Sequence, residues 1–285
     1  MNPLMPRTLA SLLLVTAGTV SAASKNKSIY QDPARPLGLS PVAKVSAAGS
    51  DAAAASFQLE TLPVLLQFVN TNLGESQALA DISAVSLDPQ SITLSQDASV
   101  RVYFVSDGAG YSNTLGFTAA DLSTGETTTQ LIFPDASSEN TYYTNLSRLS
   151  NSNALRDNAA PLVPGDFVDL GKVSTSSVLD FFLIADGANG GTQIYGTDAS
   201  ANPDLLSHIV AFALEDSPFL LIGFEDVYGG GDLDFNDLVI AVDIGAAKVA
   251  HLANPEPATW LMMGALAGAG WWFHRRPGST ASRRA

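Results

Sequence analysis

The sequence predicts a mainly β protein: an antiparallel β-sandwich or jelly-roll-like domain, with a short N-terminal helical segment and a C-terminal membrane helix. Three observations predict it. After Pro89 the chain breaks into ten short runs rich in Val, Ile, Phe, Tyr and Thr, separated by Gly, Asn, Asp and Pro. Between Phe57 and Ile82 apolar residues recur instead at three- and four-residue spacing. Uncharged apolar runs stand near both ends, Leu9 to Val20 and Ala258 to Phe273.

Composition bounds the function. The chain has 285 residues, 46% of them hydrophobic, enough for one or two domains with a sizeable core. The absence of cysteine excludes a disulfide scaffold, thiolate metal sites and Cys nucleophiles. With 14 Lys+Arg against 28 Asp+Glu, the net charge of −14 argues against nucleic acid and favours cations as partners.

Taken in order, residues 1–23 read as a secretory signal peptide, with Arg7 before the apolar run and cleavage expected after Ala22 or Ala23. That run spans only about 18 Å of helix, short of a bilayer's roughly 30 Å. Residues 24–56, rich in Pro, Ala, Ser and Gly, read as a flexible linker. In the helical packing segment 57–87, Leu59, Leu62, Leu65, Leu66, Val69 and Leu73 form the apolar face, Pro63 sits in the first turn and Gly74 is the stop. The sandwich follows over 88–245. Its expected strands are Ser91–Leu94, Val100–Ser106, Thr114–Thr118, Thr129–Phe133, Phe167–Leu170, Ser177–Ala185, Thr192–Tyr195, Ser207–Leu214, Phe219–Phe224 and Leu238–Ile244. Two of them echo each other, each an apolar strand ending in Asp-Gly-Ala at Asp107 and at Asp186. A second linker, 246–254, leads to the terminal segment 255–285.

That last segment carries Pro255-Glu256-Pro257, an apolar helix over 258–273, and the basic residues Arg275 and Arg276. Sixteen residues give a helix of about 24 Å, a marginal span with a small-residue face. The basic tail and Arg7 belong on the cytoplasmic side, which puts the middle of the chain outside. The segment resembles the PEP-CTERM class of bacterial sorting signals; a plain tail anchor is the other reading. The resemblance implies an exosortase-type enzyme as partner, an inner-membrane intermediate held by the helix, and delivery to the envelope, outer surface or exopolysaccharide matrix of a Gram-negative cell. Without both signals, Ser24 to Asn254 keeps 9 basic and 27 acidic groups, net −18.

One segment is chemically loaded. Between two expected strands lie Glu225, Asp226, Asp232, Asp234, Asn236 and Asp237, and no Lys or Arg occurs from Val173 to Ala247. Carboxylates about 4 Å apart repel by roughly 4 kcal/mol per pair at an effective dielectric near 20, so a counter-ion or water must offset them. Hard oxygen donors without His or Cys suit calcium better than zinc or copper. Alternation of Asp232, Asp234 and Asn236 with Leu233 and Phe235 places the oxygens on one side and two apolar anchors on the other. An EF-hand is rejected: Asp237 stands where Gly is needed, and a strand over 238–242 carries Asp243, the twelfth position, about 20 Å away. A hairpin returning Glu225 and Asp226 beside Asp232 to Asp237, turned by Gly229 to Gly231, supplies the ligands. The competing reading is a solvated acidic turn.

This segment, with Val105 to Phe117 and the strand exit at Asp186, resembles the family called domain of unknown function 4114, over about 155 residues from Asp88 to Ile244. The resemblance implies a β-sandwich of secreted or surface proteins with calcium as the suspected ion. Asp107 stands where the resemblance implies Glu, and is the further candidate ligand.

Other residues carry less. His208, the one histidine inside the expected sandwich, reads as a capping or core residue, and no Gly-x-Ser-x-Gly elbow accompanies it. Tyr111, Tyr142, Tyr143 and Tyr195 read as core, with sugar stacking as the alternative. The expected function is a structural or adhesive, glycan-binding surface protein that is not an enzyme. A secreted polysaccharide-processing enzyme using a carboxylate pair is the alternative.

Overall fold

Side-chain alternation along one strand organises the molecule. In the computed structural model, residues 31, 36–79, 92, 98–138, 161–174, 177–214 and 217–253 are described. Strand β1 (Ala98–Ser106) sends Val100, Val102 and Phe104 to one side and Tyr103 and Val105 to the other, and both sides are buried. The other strands are β2 (Thr114–Asp121), β3 (Thr127–Phe133), β4 (Phe167–Val173), β5 (Ser177–Ala185), β6 (Gln193–Gly196), β7 (Ile209–Ala213), β8 (Phe219–Phe224) and β9 (Leu238–Asp243). They form two antiparallel sheets, ordered β4-β1-β9-β8-β7 and β3-β2-β5-β6. The protein is mainly β, as expected.

One apolar cluster draws on both sheets, joining Phe104, Ile222 and Ile240 to Leu115, Phe181 and Leu183. A second covers the opposite side of the five-stranded sheet, where Tyr103, Phe212, Leu221 and Val239 meet a helix. A third, small cluster places Leu37 and Leu39 against Leu131, Phe182 and Ile184 of the four-stranded sheet. Because the five-stranded sheet is covered on both sides, β8 reads as an unbroken apolar run and is buried throughout. The strand expected at Ser91–Leu94 lies outside the described residues except for Ile92, which is buried in the first cluster. The signal peptide, Pro255 to Pro257, the 258–273 helix and Arg275 and Arg276 also lie outside them.

The helical run consists of α1 (Ala52–Ser56), a π turn (Phe57–Thr61) and α2 (Leu62–Asn72). It starts five residues before the expected onset because Asp51 caps it, its Oδ1 accepting from the Ala54 N–H at 2.7 Å. Pro63 is therefore interior to the run. Lacking an N–H and clashing with a carbonyl one turn back, it is accommodated by the widened turn just upstream. The same widening shifts the face: Phe57, Leu62, Leu65, Leu66, Val69 and Leu73 are buried, while Leu59, expected inside, is 79% exposed. By length and composition Ala52–Asn72 could cross a membrane, but its apolar side is spent on the sheet.

The expected linker 24–56 is corrected where it is described. Residues 36–50 strap the two sheets: Val42 N–H donates to the Leu131 carbonyl at 2.9 Å, and Ser46 exchanges backbone hydrogen bonds with Phe167 at 2.8 and 3.0 Å. Small residues there fit a backbone lying flat on strand edges, a role composition alone does not separate from looseness. The expected linker 246–254 is likewise helical over α3 (Ala246–Ala253), with Val249 buried in the inter-sheet cluster.

Candidate metal centre

The register of one hairpin builds the site. β8 pairs with β9 through Phe224 opposite Leu238, so Glu225 and Asp226 leave one strand directly beside Asp237 entering the other. Carboxylate oxygens of Glu225, Asp226 and Asp237 all lie within 4.8 Å of one another, and the Asp226 N–H donates to Asp237 Oδ2 at 2.8 Å. Glu225 is 1% exposed and Asp226 3%. Burial, first, holds all three acids above the ordinary carboxylate range; the neighbouring charges of Asp232 and Asp234 on Glu225, of Asp186 on Asp226, and of Asp226 on Asp237 push the same way. Glu225 Oε2 is buried without any hydrogen-bond partner. A buried anionic oxygen left in that state is costly, and hard oxygens packed this closely are what a divalent cation coordinates.

The other expected ligands are placed differently. Asp232 and Asp234 do not join this group; their oxygens gather within 4.8 Å of Glu75, at the end of the helical run. The expected alternation also fails at Leu233. Both Leu233 and Phe235 have left-handed backbone (φ 63° and 55°), so the segment coils instead of extending; Phe235 is fully buried and Leu233 is 40% exposed. Asn236 acts as a pin: its Nδ2 donates to the Leu73 carbonyl at 3.1 Å and to Asp234 Oδ2 at 2.9 Å. Burial, chiefly, raises Asp234 to about 6.

Asp107 is buried nearby with both oxygens engaged by backbone, Oδ1 accepting from Ala109 and Oδ2 from Ser138. Burial pushes it up to about 8, with Asp135 and Asp226 adding to the rise. Its charge therefore bears on the site through Asp226. Asn113, which sequence reasoning missed, is 1% exposed and bridges the sheets at this end. Its Nδ2 donates to Asp226 Oδ2 at 2.6 Å and its Oδ1 accepts from the Asp186 N–H at 3.0 Å. The two echoing strands, β1 and β5, thus lie in different sheets and deliver Asp107 and Asp186 to the same end. Asn113 lies in the Val105 to Phe117 stretch that carries the family resemblance, and that was its signal in the sequence.

His208 is fully buried, stacked on Tyr195 at 3.7 Å, with Nε2 at 2.9 Å from Asp204 Oδ2 and Nδ1 at 2.9 Å from the Glu225 carbonyl. It is a core residue behind the hairpin. Tyr195 is buried and Tyr111 is 48% exposed; Tyr142 and Tyr143 lie outside the described residues. The cation Arg101 is committed far from the loop in sequence and in contacts, to Asp51 at 2.9 Å and Asp169 at 2.6 Å.

A family model described as Domain of unknown function (DUF4114) matches residues 174–245, the stretch that runs from β5 through β9 and contains the whole acidic loop. No curated protein and no solved structure matches the chain.

Proposed function

We propose that this is an exported protein of the cell surface or exopolysaccharide matrix, a β-sandwich fastened by calcium at the β8–β9 hairpin, acting as a structural or adhesive, glycan-binding module. One observation carries the calcium reading: Glu225 Oε2 is buried and unpartnered among three carboxylates whose oxygens lie within 4.8 Å of each other. A divalent ion there offsets the repulsion and ties the ends of β8 and β9 together, and through Asp226 and Asn113 it reaches the four-stranded sheet. The export reading rests on the leader with Ala22 and Ala23, and on the PEP-CTERM-like order of Pro255, Glu256, Pro257, apolar helix, Arg275 and Arg276. An exosortase-type enzyme is its partner, and the 258–273 helix holds the chain at the inner membrane until processing. The net charge of −14 lets calcium bridge the surface to acidic polysaccharide, and the exposed rings of Tyr111 and Tyr228 offer faces on which sugars stack.

The test is a calcium titration of the full chain by calorimetry, with thermal melts in calcium and in chelator. Calcium at about 100 times its dissociation constant adds about 2.7 kcal/mol to stability. Asp237→Asn removes that increment. A melting point unmoved by chelator overturns the calcium reading, and product release from the host's exopolysaccharide overturns the non-enzymatic one.

A further inference from the structure

We propose that the cleft along β6 binds a neutral oligosaccharide, with Tyr111 as the stacking face and Asp186 and Gln193 as the groups that pair with its hydroxyls. The proposal rests on the glycan-binding reading above and adds where the sugar sits and what charge it carries. The cleft has a volume of about 750 Å³, a size at which small-molecule sites occur, and its lining includes Tyr111, Asp186, Gly191, Gln193, Ala201 and Pro203. It shares no residue with the Glu225, Asp226 and Asp237 group.

Hydrogen bonds fix the walls before any ligand arrives. Ser112 N–H donates to Asp186 Oδ1 at 3.1 Å and Ala188 N–H donates to the Ser112 carbonyl at 3.0 Å, which holds the neighbouring Tyr111 beside the 186–191 turn. Within that turn Asn189 Nδ2 donates to Asp186 Oδ1 at 2.8 Å, and Gly191 N–H donates to the Asp186 carbonyl at 2.9 Å. The closure is so tight that a Cβ on Gly191 would overlap the Ala185 carbonyl oxygen. The 199–203 segment is pinned through Asn202, whose Nδ2 donates to the Leu206 carbonyl at 2.8 Å. A site ordered in advance gives up little conformational freedom on binding.

The chemistry of the lining selects the ligand. Tyr111 is 48% exposed although its backbone neighbour is clamped, so a positioned ring offers its face to the C–H side of a sugar. Asp186 spends Oδ1 on the turn, while Oδ2 takes no hydrogen bond among the described residues and is left as an acceptor. Gln193 is exposed and brings both a donor and an acceptor. An apolar face beside groups that pair with hydroxyls is what a sugar ring requires. No Lys, Arg or His lines the cleft among the described residues, and the Asp186 carboxylate repels an acidic sugar, so the ligand is neutral. A peptide strand added to β6 is disfavoured, because Asn202 takes both backbone groups of Gly196 on the open edge, accepting from its N–H at 2.8 Å and donating to its carbonyl at 3.2 Å.

The experiment is calorimetric titration of the full chain, with calcium present throughout, by cellohexaose, mannohexaose and a galactan-derived hexaose as neutral probes and an alginate hexamer as the acidic one. Wild type binds at least one neutral hexaose about tenfold more tightly than the alginate hexamer. Tyr111→Ala weakens that binding about tenfold, Tyr111→Phe keeps it within about twofold, and Gln193→Ala weakens it about fivefold, while none of the three changes the calcium titration. A neutral hexaose bound equally by wild type and Tyr111→Ala, or lost in Tyr228→Ala instead, overturns the cleft and leaves the glycan-binding reading standing. Tighter binding of the alginate hexamer overturns the neutral class. No binding of any probe overturns the cleft and the glycan-binding reading together, and leaves the calcium reading to its own test.

Discussion

A methyl group at position 231 is the smallest change that reaches the site. Gly231 has left-handed backbone (φ 49°), and a Cβ there overlaps the Glu225 carboxylate. Gly229 is also left-handed (φ 89°), but its Cβ meets nothing. Gly229→Ala should therefore cost only backbone strain, on the order of 1 kcal/mol, and keep the calcium response. Gly231→Ala should cost about as much in strain and also lose most of the calcium-induced rise in melting temperature; equal calcium responses in the two variants would refute the placement of Glu225. Protons compete for the same oxygens. Glu225, Asp226 and Asp237 are held above the ordinary range chiefly by burial, Asp234 rises to about 6 and Asp107 to about 8. In the unfolded chain these acids ionise near pH 4, so between about pH 4 and 8 the folded state keeps protons the unfolded state has lost. Their contribution to metal-free stability is thus fully present below pH 4 and is lost as pH rises to about 8. Calcium replaces those protons, so its increment in melting temperature should be larger at pH 8 than at pH 5. A calcium increment that does not vary with pH would contradict this. Glu225, Asp226 and Asp237 were readable from the sequence because a hairpin returns on itself. Glu75 and Asn113 were not, since each reaches the loop only through the packing of another element.

At the scale of elements, the helical run is the piece whose role composition leaves most open. Ala52–Asn72 is apolar enough to cross a membrane, and the same residues serve to cover a sheet. Phe57 stacks on Tyr103 at 3.8 Å, and Leu62, Leu65 and Leu66 are fully buried against the five-stranded sheet. Leu65→Ala should cost about 2–5 kcal/mol in urea unfolding, whereas Leu59→Ala, at a 79% exposed position, should stay within about 0.5 kcal/mol. Two equally mild variants would mean that the run is not docked as described. The strands were easier to read because β-branched and aromatic runs broken by Gly, Asn and Asp survive any choice of partner. Nine of the ten expected strands coincide with β1 to β9 to within a few residues. Sheet order could not be read, because β1 pairs with β4 and β9 across long stretches of sequence. Nor could the strap over 36–50, whose hydrogen bonds to Leu131 and Phe167 come from backbone.

For the molecule as a whole, the question is whether calcium acts at a place or only on a field. A chain of net charge −14 repels itself, and any salt relieves that repulsion. The acids are also unevenly placed: Asp107, Asp186, Glu225, Asp226 and Asp237 converge where the hairpin end meets both sheets. Mobile ions screen charges farther apart than the Debye length, about 10 Å at 0.1 M and about 3 Å at 1 M, and screen buried neighbours much less. Sodium chloride should therefore raise the melting temperature of the metal-free protein gradually, through the exposed charges. Millimolar calcium should add a further rise that survives in 1 M sodium chloride, because the oxygens of Glu225, Asp226 and Asp237 are within 4.8 Å of one another and largely withdrawn from solvent. Magnesium should add less, since it demands near-octahedral geometry and gives up its water reluctantly, whereas calcium accepts an irregular set of carboxylates. Melts across sodium chloride from 0.05 to 1 M, with and without each divalent ion, separate the two pictures on the order-of-magnitude screening lengths above. If 1 M sodium chloride alone reproduces the calcium rise, the hairpin end is a relieved concentration of charge and holds no ion.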